Sequence, residues 1–273
     1  MGKLKVDKVI TAFVLALAAS FFIVPMYIMV STSFKTPYEV SRMEYFSLPK
    51  TLYVLNYSKA LSRMAKALFD TLFVTLISTA ACVFLGTSAG YFLASFELRY
   101  SLHICFVTML ASFLPYQAIL IPLTVLESFL RITDTYAGLI FAYITLNMPL
   151  ATLIPMAFFL ALPRELEEAA MIDGCGPIHA FYRVILPASK PALASTAILV
   201  FTSVWNEFLI ALTLGGTRVK MVAPVVAELK GCYAALWNLQ MAGAVIGSLP
   251  PLLFFIAAGK YFVRGLLAGT MRG

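Results

Sequence analysis

Tyr136 to Ala161 reads YAGLIFAYITLNMPLATLIPMAFFLA and carries no charged side chain. A helix of about 20 mainly apolar residues is long enough to cross a bilayer. At that depth only a helix or a closed barrel satisfies its own backbone, because no water is there to do so. The stretch is therefore predicted to be a membrane-spanning helix. Working outward, five further stretches meet the same test: 102–127, 68–95 and 9–32 before it, and 189–214 and 240–263 after it. The expected fold is all-α, a polytopic membrane bundle of six transmembrane helices forming a single domain over residues 1–273. Pro25, Pro115, Pro122, Pro149, Pro155 and the pair Pro250-Pro251 lie inside these stretches and predict kinks. Neighbouring helices or water re-satisfy the carbonyls that such prolines free.

Composition points the same way. Of 273 residues, 61% are hydrophobic and 12% charged, and the mean hydropathy is +0.91. The charged share is about half that of a soluble domain. Membrane lipids are thus the expected solvent. The net charge of +7 resides in short segments between apolar runs, as loops facing headgroups or partner subunits require. No basic stripe with interleaved aromatics appears, so nucleic acid is not an expected partner. Cys82, Cys105, Cys175 and Cys232 lie far apart without a CxxC pair, and His103 and His179 have no ligand partners nearby. No metal site is expected, and the thiols read as small apolar residues.

Lys3, Lys5 and Lys8 precede the first apolar run, and Ala16-Leu17-Ala18 imitates a signal-peptidase site. The run extends from Val9 to Val30, however, too long for a typical signal core and long enough to span. An uncleaved first helix is expected. Substantial connections remain at 33–66, 162–188 and 215–235, and the first is long enough to fold as a small extramembrane element. Lys and Arg divide equally between the two sides, so their count sets no orientation; the Lys-rich N-terminus alone favours cytoplasmic termini.

Residues Pro163 to Pro187, PRELEEAAMIDGCGPIHAFYRVILP, read as helix, turn, helix. Glu165, Glu167 and Glu168 suit a helix start, where the dipole favours negative charge. Ala169, Ala170 and Met171 continue it. Gly174 and Gly176 provide a left-handed end, and Pro177 suits the first turn of the next helix. Such a compact protrusion is built for docking rather than for lipid contact.

Glu168-Ala169-Ala170, then Asp173-Gly174, then Leu186-Pro187 resemble the EAA signature of binding-protein-dependent ABC importer permeases. Val184 and Cys175 stand where isoleucine and alanine are usual. The opening Ser33-Phe34-Lys35-Thr36-Pro37, the run Trp205-Asn206-Glu207-Phe208 and the ending from Lys260 to Gly273 are similar to maltose-type carbohydrate permeases. They look like the six-span subunit of the heterodimeric pair. The resemblance implies that the loop at 162–188 couples to an ATPase through Glu168, Ala169, Ala170, Asp173, Gly174, Leu186 and Pro187. It further implies two cytoplasmic ATPase subunits that bind ATP and Mg, a second permease subunit, and an extracytoplasmic solute-binding protein touching 33–66 and 215–235. The chain is then a multi-pass protein of a bacterial or archaeal cytoplasmic (inner) membrane, with both termini cytoplasmic. It has no G-x-x-x-x-G-K-[ST] loop, in agreement with energy coming from another polypeptide; neither catalysis nor a bound cofactor is expected of it.

Glu207 lies well inside the fifth stretch, where an ionised group costs a few kcal/mol. With Trp205, Asn206 and Asn147 it reads either as a lining of the substrate pathway or as helix–helix hydrogen bonding. Asp70 and Glu127 fall near the outer ends of their stretches, where solvation by water is expected. Sugar or oligosaccharide is the expected cargo, with a glycerol phosphodiester, a polyol or a polyamine as the alternative. A secondary carrier or an intramembrane enzyme fits less well, since neither a Ser/His/Asp set nor HExxH is found.

Overall fold

A computed structural model describes the backbone of residues 2–95, 100–231 and 235–270, with side chains described for all of these except 2–7, 9, 102 and 261–270. Cys232 and the end of the C-terminal motif at 271–273 lie outside the described residues. The elements are α1 (Gly2–Ser33), α2 (Pro37–Ser41), α3 (Leu55–Ser95), α4 (Ser101–Phe113), α5 (Gln117–Leu130), α6 (Tyr136–Ala161), α7 (Glu165–Ile172) and α8 (Pro177–Ala180). A π-helical turn over Phe181–Ile185 follows, then α9 (Leu186–Ala188), α10 (Lys190–Asn206), α11 (Leu209–Leu214), α12 (Val222–Glu228) and α13 (Trp237–Thr270). The protein is an all-α membrane bundle.

Among the described residues, four helical stretches are long and apolar enough to cross a membrane: Ile10–Ser33, Leu55–Ser95, Tyr136–Ala161 and Trp237–Lys260. Two bent pairs pass the same test together, His103–Phe113 with Gln117–Leu130 at 100° and Pro177–Ala188 with Lys190–Asn206 at 75°. Where the sequence reads as one run over 102–127, the backbone breaks at Leu114, which is extended (φ −68°, ψ 133°). Pro115 is the cause, since proline pushes the residue before it out of helical space. The run over 189–214 is likewise divided at Glu207 (φ −69°, ψ 128°). Helix α3 starts at Leu55, earlier than the apolar run, because 55–66 contains neither Gly nor Pro to stop it.

The chain forms two compact units, residues 1–66 with 225–249 and residues 67–224 with 250–273. In the first, Thr36 and Glu39 close a capping box around α2, with Pro37 at its first turn. The side chain of Lys35 is fully buried, and its ammonium donates to the carbonyls of Glu44 and Tyr45. Glu39 accepts the Lys50 N–H at 2.8 Å. That bond and the Thr36 N–H hold its carboxyl below the usual range, against the effect of burial. Asn56 Nδ2 donates to the carbonyls of Ser33 and Lys35 at 2.8 and 2.9 Å, and its Oδ1 accepts from Asn238 at 2.9 Å. Residues 33–56 thus form a folded element rather than a loose loop.

In the second unit α3 and α6 run side by side in the same direction. The Tyr136 hydroxyl donates to Asp70 at 2.8 Å, Cys82 Sγ meets the Ile144 carbonyl at 3.9 Å, and the Tyr91 and Phe159 rings lie 5.7 Å apart. Residue numbers rise together along both helices. Gly86 and Gly90 face the backbones of Ala151 and Thr152 so closely that a β-carbon at either would collide. Such small residues let helices approach where lipid supplies no hydrophobic drive, and packing holds them. Around this seam Val74, Leu123, Leu139, Tyr143, Val200 and Val204 form a continuous buried core.

Candidate functional site

The segment after α6 builds a projecting knob. Three glutamates occupy the first turn of α7, where the helix dipole favours them. At its end Gly174 adopts φ +87°, and the N–H groups of Gly174 and Cys175 donate to the carbonyls of Met171 and Ala170, each at 3.0 Å. Gly176 then caps α8, with Pro177 at its first position. Left-handed backbone disfavours a residue with a β-carbon, so Gly174 is dictated by the turn.

The knob has a buried inner side and an exposed outer side. Ala170, Ala180, Phe181 and Ile185 are buried. Glu168, Ala169, Asp173, Gly174 and Pro187 are exposed, whereas Leu186 is half-buried. The apex also displays Ile172 and Ile178, 86% and 67% exposed, which the sequence reading did not single out. Nor did it identify the anchor on α3: the Tyr91 hydroxyl donates to Glu167 Oε1 at 2.5 Å, and the Tyr91 ring stacks on Phe181 at 4.4 Å. Beside this anchor a cavity of about 270 Å³ is lined by Tyr91, Ser95, Arg164, Glu167, Glu168 and Met171.

A second cavity, about 480 Å³ and open to the surface, brings together Asn147, Asn206 and Glu207 with Tyr116, Tyr143 and Ser203. Trp205 is not part of it; its ring is buried and stacks on Phe201 at 5.7 Å. Glu207 sits at the break between α10 and α11, and its carboxylate accepts the N–H groups of Leu209, Ile210 and Ala211 at 2.8, 2.8 and 3.1 Å. The Tyr143 hydroxyl approaches it at 3.5 Å. The charge therefore caps the start of α11, which offsets the cost of partly burying it. Asn147 Nδ2 donates to the Tyr143 carbonyl at 2.9 Å, one turn back. Two amides, two phenols and a capped carboxylate make a lining suited to hydroxyl-rich solutes. Among the described residues, no group of three His, Cys, Asp or Glu side chains is placed to hold a metal ion.

Two carboxylates depart from the sequence reading. Asp70 and Glu127, expected in water, are 1% and 0% exposed. Asp70 is covered by Tyr136 and accepts the Lys220 N–H at 2.9 Å. Glu127 is wedged where Gly138 lacks a side chain. Both are buried because α6 packs against them, a contact the sequence does not display.

Comparison with known proteins adds the family. The family described as binding-protein-dependent transport system inner membrane component matches residues 83–267. The glucose import system permease protein GlcU of Saccharolobus solfataricus is 31% identical over 262 residues, 93% of this chain and 91% of the relative. The sulfoquinovosyl glycerol transport system permease protein SmoH of Agrobacterium fabrum is 33% identical over 245 residues, 89% of this chain and 86% of the relative. The crystal structure of a bacterial ABC transporter involved in the import of the acidic polysaccharide alginate superposes with a TM-score of 0.79 at 20% identity, over 94% of this chain and 97% of that one. This last likeness carries the fold alone.

Proposed function

The chain belongs to the family of inner membrane components of binding-protein-dependent transport systems, and from that premise we propose that it is one permease subunit of an ATP-driven sugar importer. The single observation that carries the mechanism is the knob at Glu165–Ala180, exposed at its apex and tied at its base to α3 through Tyr91 and Glu167. Separate ATPase subunits bind ATP and Mg and receive the apex, with Glu168, Ala169, Asp173 and Gly174 at the contact and Ala170, Leu186 and Pro187 shaping it. Closure of the ATPase dimer pushes α7, and the stacked Tyr91–Phe181 pair passes the displacement to α3.

On this reading 162–188 and both termini are cytoplasmic. A second, different permease subunit completes the pathway, and an external binding protein delivers solute to the connections at 33–66 and 215–235. Sugar is the cargo because relatives of this chain include permeases named for glucose import and for sulfoquinovosyl glycerol transport. The cavity holding Asn147, Asn206 and Glu207 supports a hydroxyl-rich solute as well.

The test is reconstitution of the chain with its second permease, ATPase and binding protein in vesicles, followed by uptake of labelled sugars. ATP-dependent sugar uptake that stops without the ATPase is the expected outcome. Uptake confined to a polyol, a polyamine or a glycerol phosphodiester would remove the sugar assignment. Uptake without any ATPase would replace the importer with a secondary carrier.

A further inference from the structure

The connection after α11 is held by its backbone rather than by regular structure. Residues 215–221 form neither helix nor strand, yet the N–H groups of residues 217–220 and of Val222 end on three side chains. Asp134, in left-handed backbone (φ 55°) between α5 and α6, accepts the N–H groups of Thr217, Arg218 and Val219 at 3.0, 3.0 and 3.1 Å. Its own N–H donates to the Leu214 carbonyl at 3.0 Å. Asp70 Oδ2 accepts the Lys220 N–H at 2.9 Å, and Thr71 Oγ1 accepts the Val222 N–H at 2.8 Å. Backbone N–H groups bonded to an ionised carboxylate make charge-assisted hydrogen bonds, stronger than neutral ones.

Side chains along this segment alternate. Val219 and Met221 turn into the core beside Val74 and Leu139, while Thr217, Arg218 and Lys220 face outward. An outward face of two cations and a hydroxyl is thus presented on a backbone fixed in register. The same Asp70 accepts the Tyr136 hydroxyl, so one carboxylate joins the segment, α3 and α6. From Asp70 helix α3 runs to Tyr91, about 30 Å at 1.5 Å per residue, and there meets Glu167 of the knob.

We propose that Asp134 and Asp70 are positioning residues that lock segment 217–222 to the paired α3 and α6, so that a partner pressing on Thr217, Arg218 and Lys220 moves both helices together and shifts α7 at their far end. Coupling over such distances is carried by hydrogen-bond networks and rigid elements that move as units. The inference rests on the importer reading, in which this segment meets the binding protein.

The experiment uses the assembled complex of both permeases and the ATPase in nanodiscs, titrated with the binding protein. ATP hydrolysis is measured with and without that protein for wild type, Asp134→Ala, Asp134→Asn and Asp70→Asn. Stimulation is expected to fall about tenfold in Asp134→Ala and less in the two Asn variants, with unstimulated hydrolysis and complex yield within roughly twofold of wild type. Full stimulation in all three variants overturns the proposal. So does a proportional loss of stimulated and unstimulated hydrolysis, which marks a fold defect instead of lost transmission. A wild-type complex that the binding protein does not stimulate overturns the importer reading itself, a result distinct from either.

Discussion

The Tyr91 hydroxyl donates to Glu167 Oε1 across 2.5 Å, joining the last turns of α3 to the first turn of α7. Tyr91 is nearly fully buried and also stacks on Phe181, so one side chain holds the knob by a charge-assisted hydrogen bond and by ring contact. Hydrogen bonds to charged groups contribute about 1.5–3 kcal/mol. Tyr91→Phe keeps the ring and deletes the bond. Its expected effect is a several-fold drop in transport, with membrane insertion unchanged; Tyr91→Ala loses both contacts and should fall further. Uptake measured against the amount of inserted protein checks the order.

Gly86 is fixed by proximity rather than by conformation. A β-carbon there meets the backbone of Ala151, so Gly86→Leu must part α3 from α6. Overpacking of a close interface costs about 1–3 kcal/mol. The expected result is a lower melting temperature in detergent than for a Leu placed at the exposed position of Ala80. Equal melting temperatures would contradict the parallel seam.

Glu207→Gln preserves shape but leaves one carbonyl oxygen to serve the N–H groups of Leu209, Ile210 and Ala211. A buried donor left without a partner costs about 1–3 kcal/mol, so stability should fall by that order. Asn147→Ala, which removes only a bond to its own helix and an amide from the cavity, should change the concentration dependence of uptake more than stability. Measuring melting and uptake for both variants separates capping from lining.

Asp134 gives a pH dependence outside the membrane. Burial opposes its charge, but the N–H groups of Arg218, Val219 and Thr217 and the nearby Arg218 charge prevail and hold its carboxyl below the usual aspartate range. A depressed carboxylate stabilises above its unfolded pKa, about 3.9, and that stability is lost as pH falls through the folded value. Amide protection at 217–219, corrected for intrinsic exchange, should be flat near neutrality and drop only in acid. A drop beginning near pH 7 would contradict this assignment.

Much of this was legible in the chain. The charge-free run at 136–161 and the Gly174 turn follow from apolar length and backbone sterics, which act within a few residues. Pro115 announced a kink, although the 100° bend also needs the neighbours that α4 and α5 pack against. What could not be read depends on distant partners. Asp70 and Glu127 are buried by a helix that begins at Tyr136. Trp205 and Asn206 are adjacent in sequence but diverge in space, because consecutive helical residues point about 100° apart; only Asn206 reaches the cavity. Tyr91 offered no pattern at all until α7 supplied its partner.

A knob that links the permease mechanically to an ATPase must dock there by its apex. Ile172 is 86% exposed, and a β-carbon at Gly174 meets no atom within 4 Å, so neither apex position is needed to pack the bundle. Ile172→Asp and Gly174→Val should therefore leave the melting temperature of the isolated chain little changed, the second losing about 1–2 kcal/mol locally to left-handed backbone. The measurement is the affinity of the purified ATPase subunit for the permease pair carrying each variant. A loss of about tenfold or more is expected for both, as for an apolar anchor removed from a pocket. Wild-type affinity with full transport in both variants would contradict it.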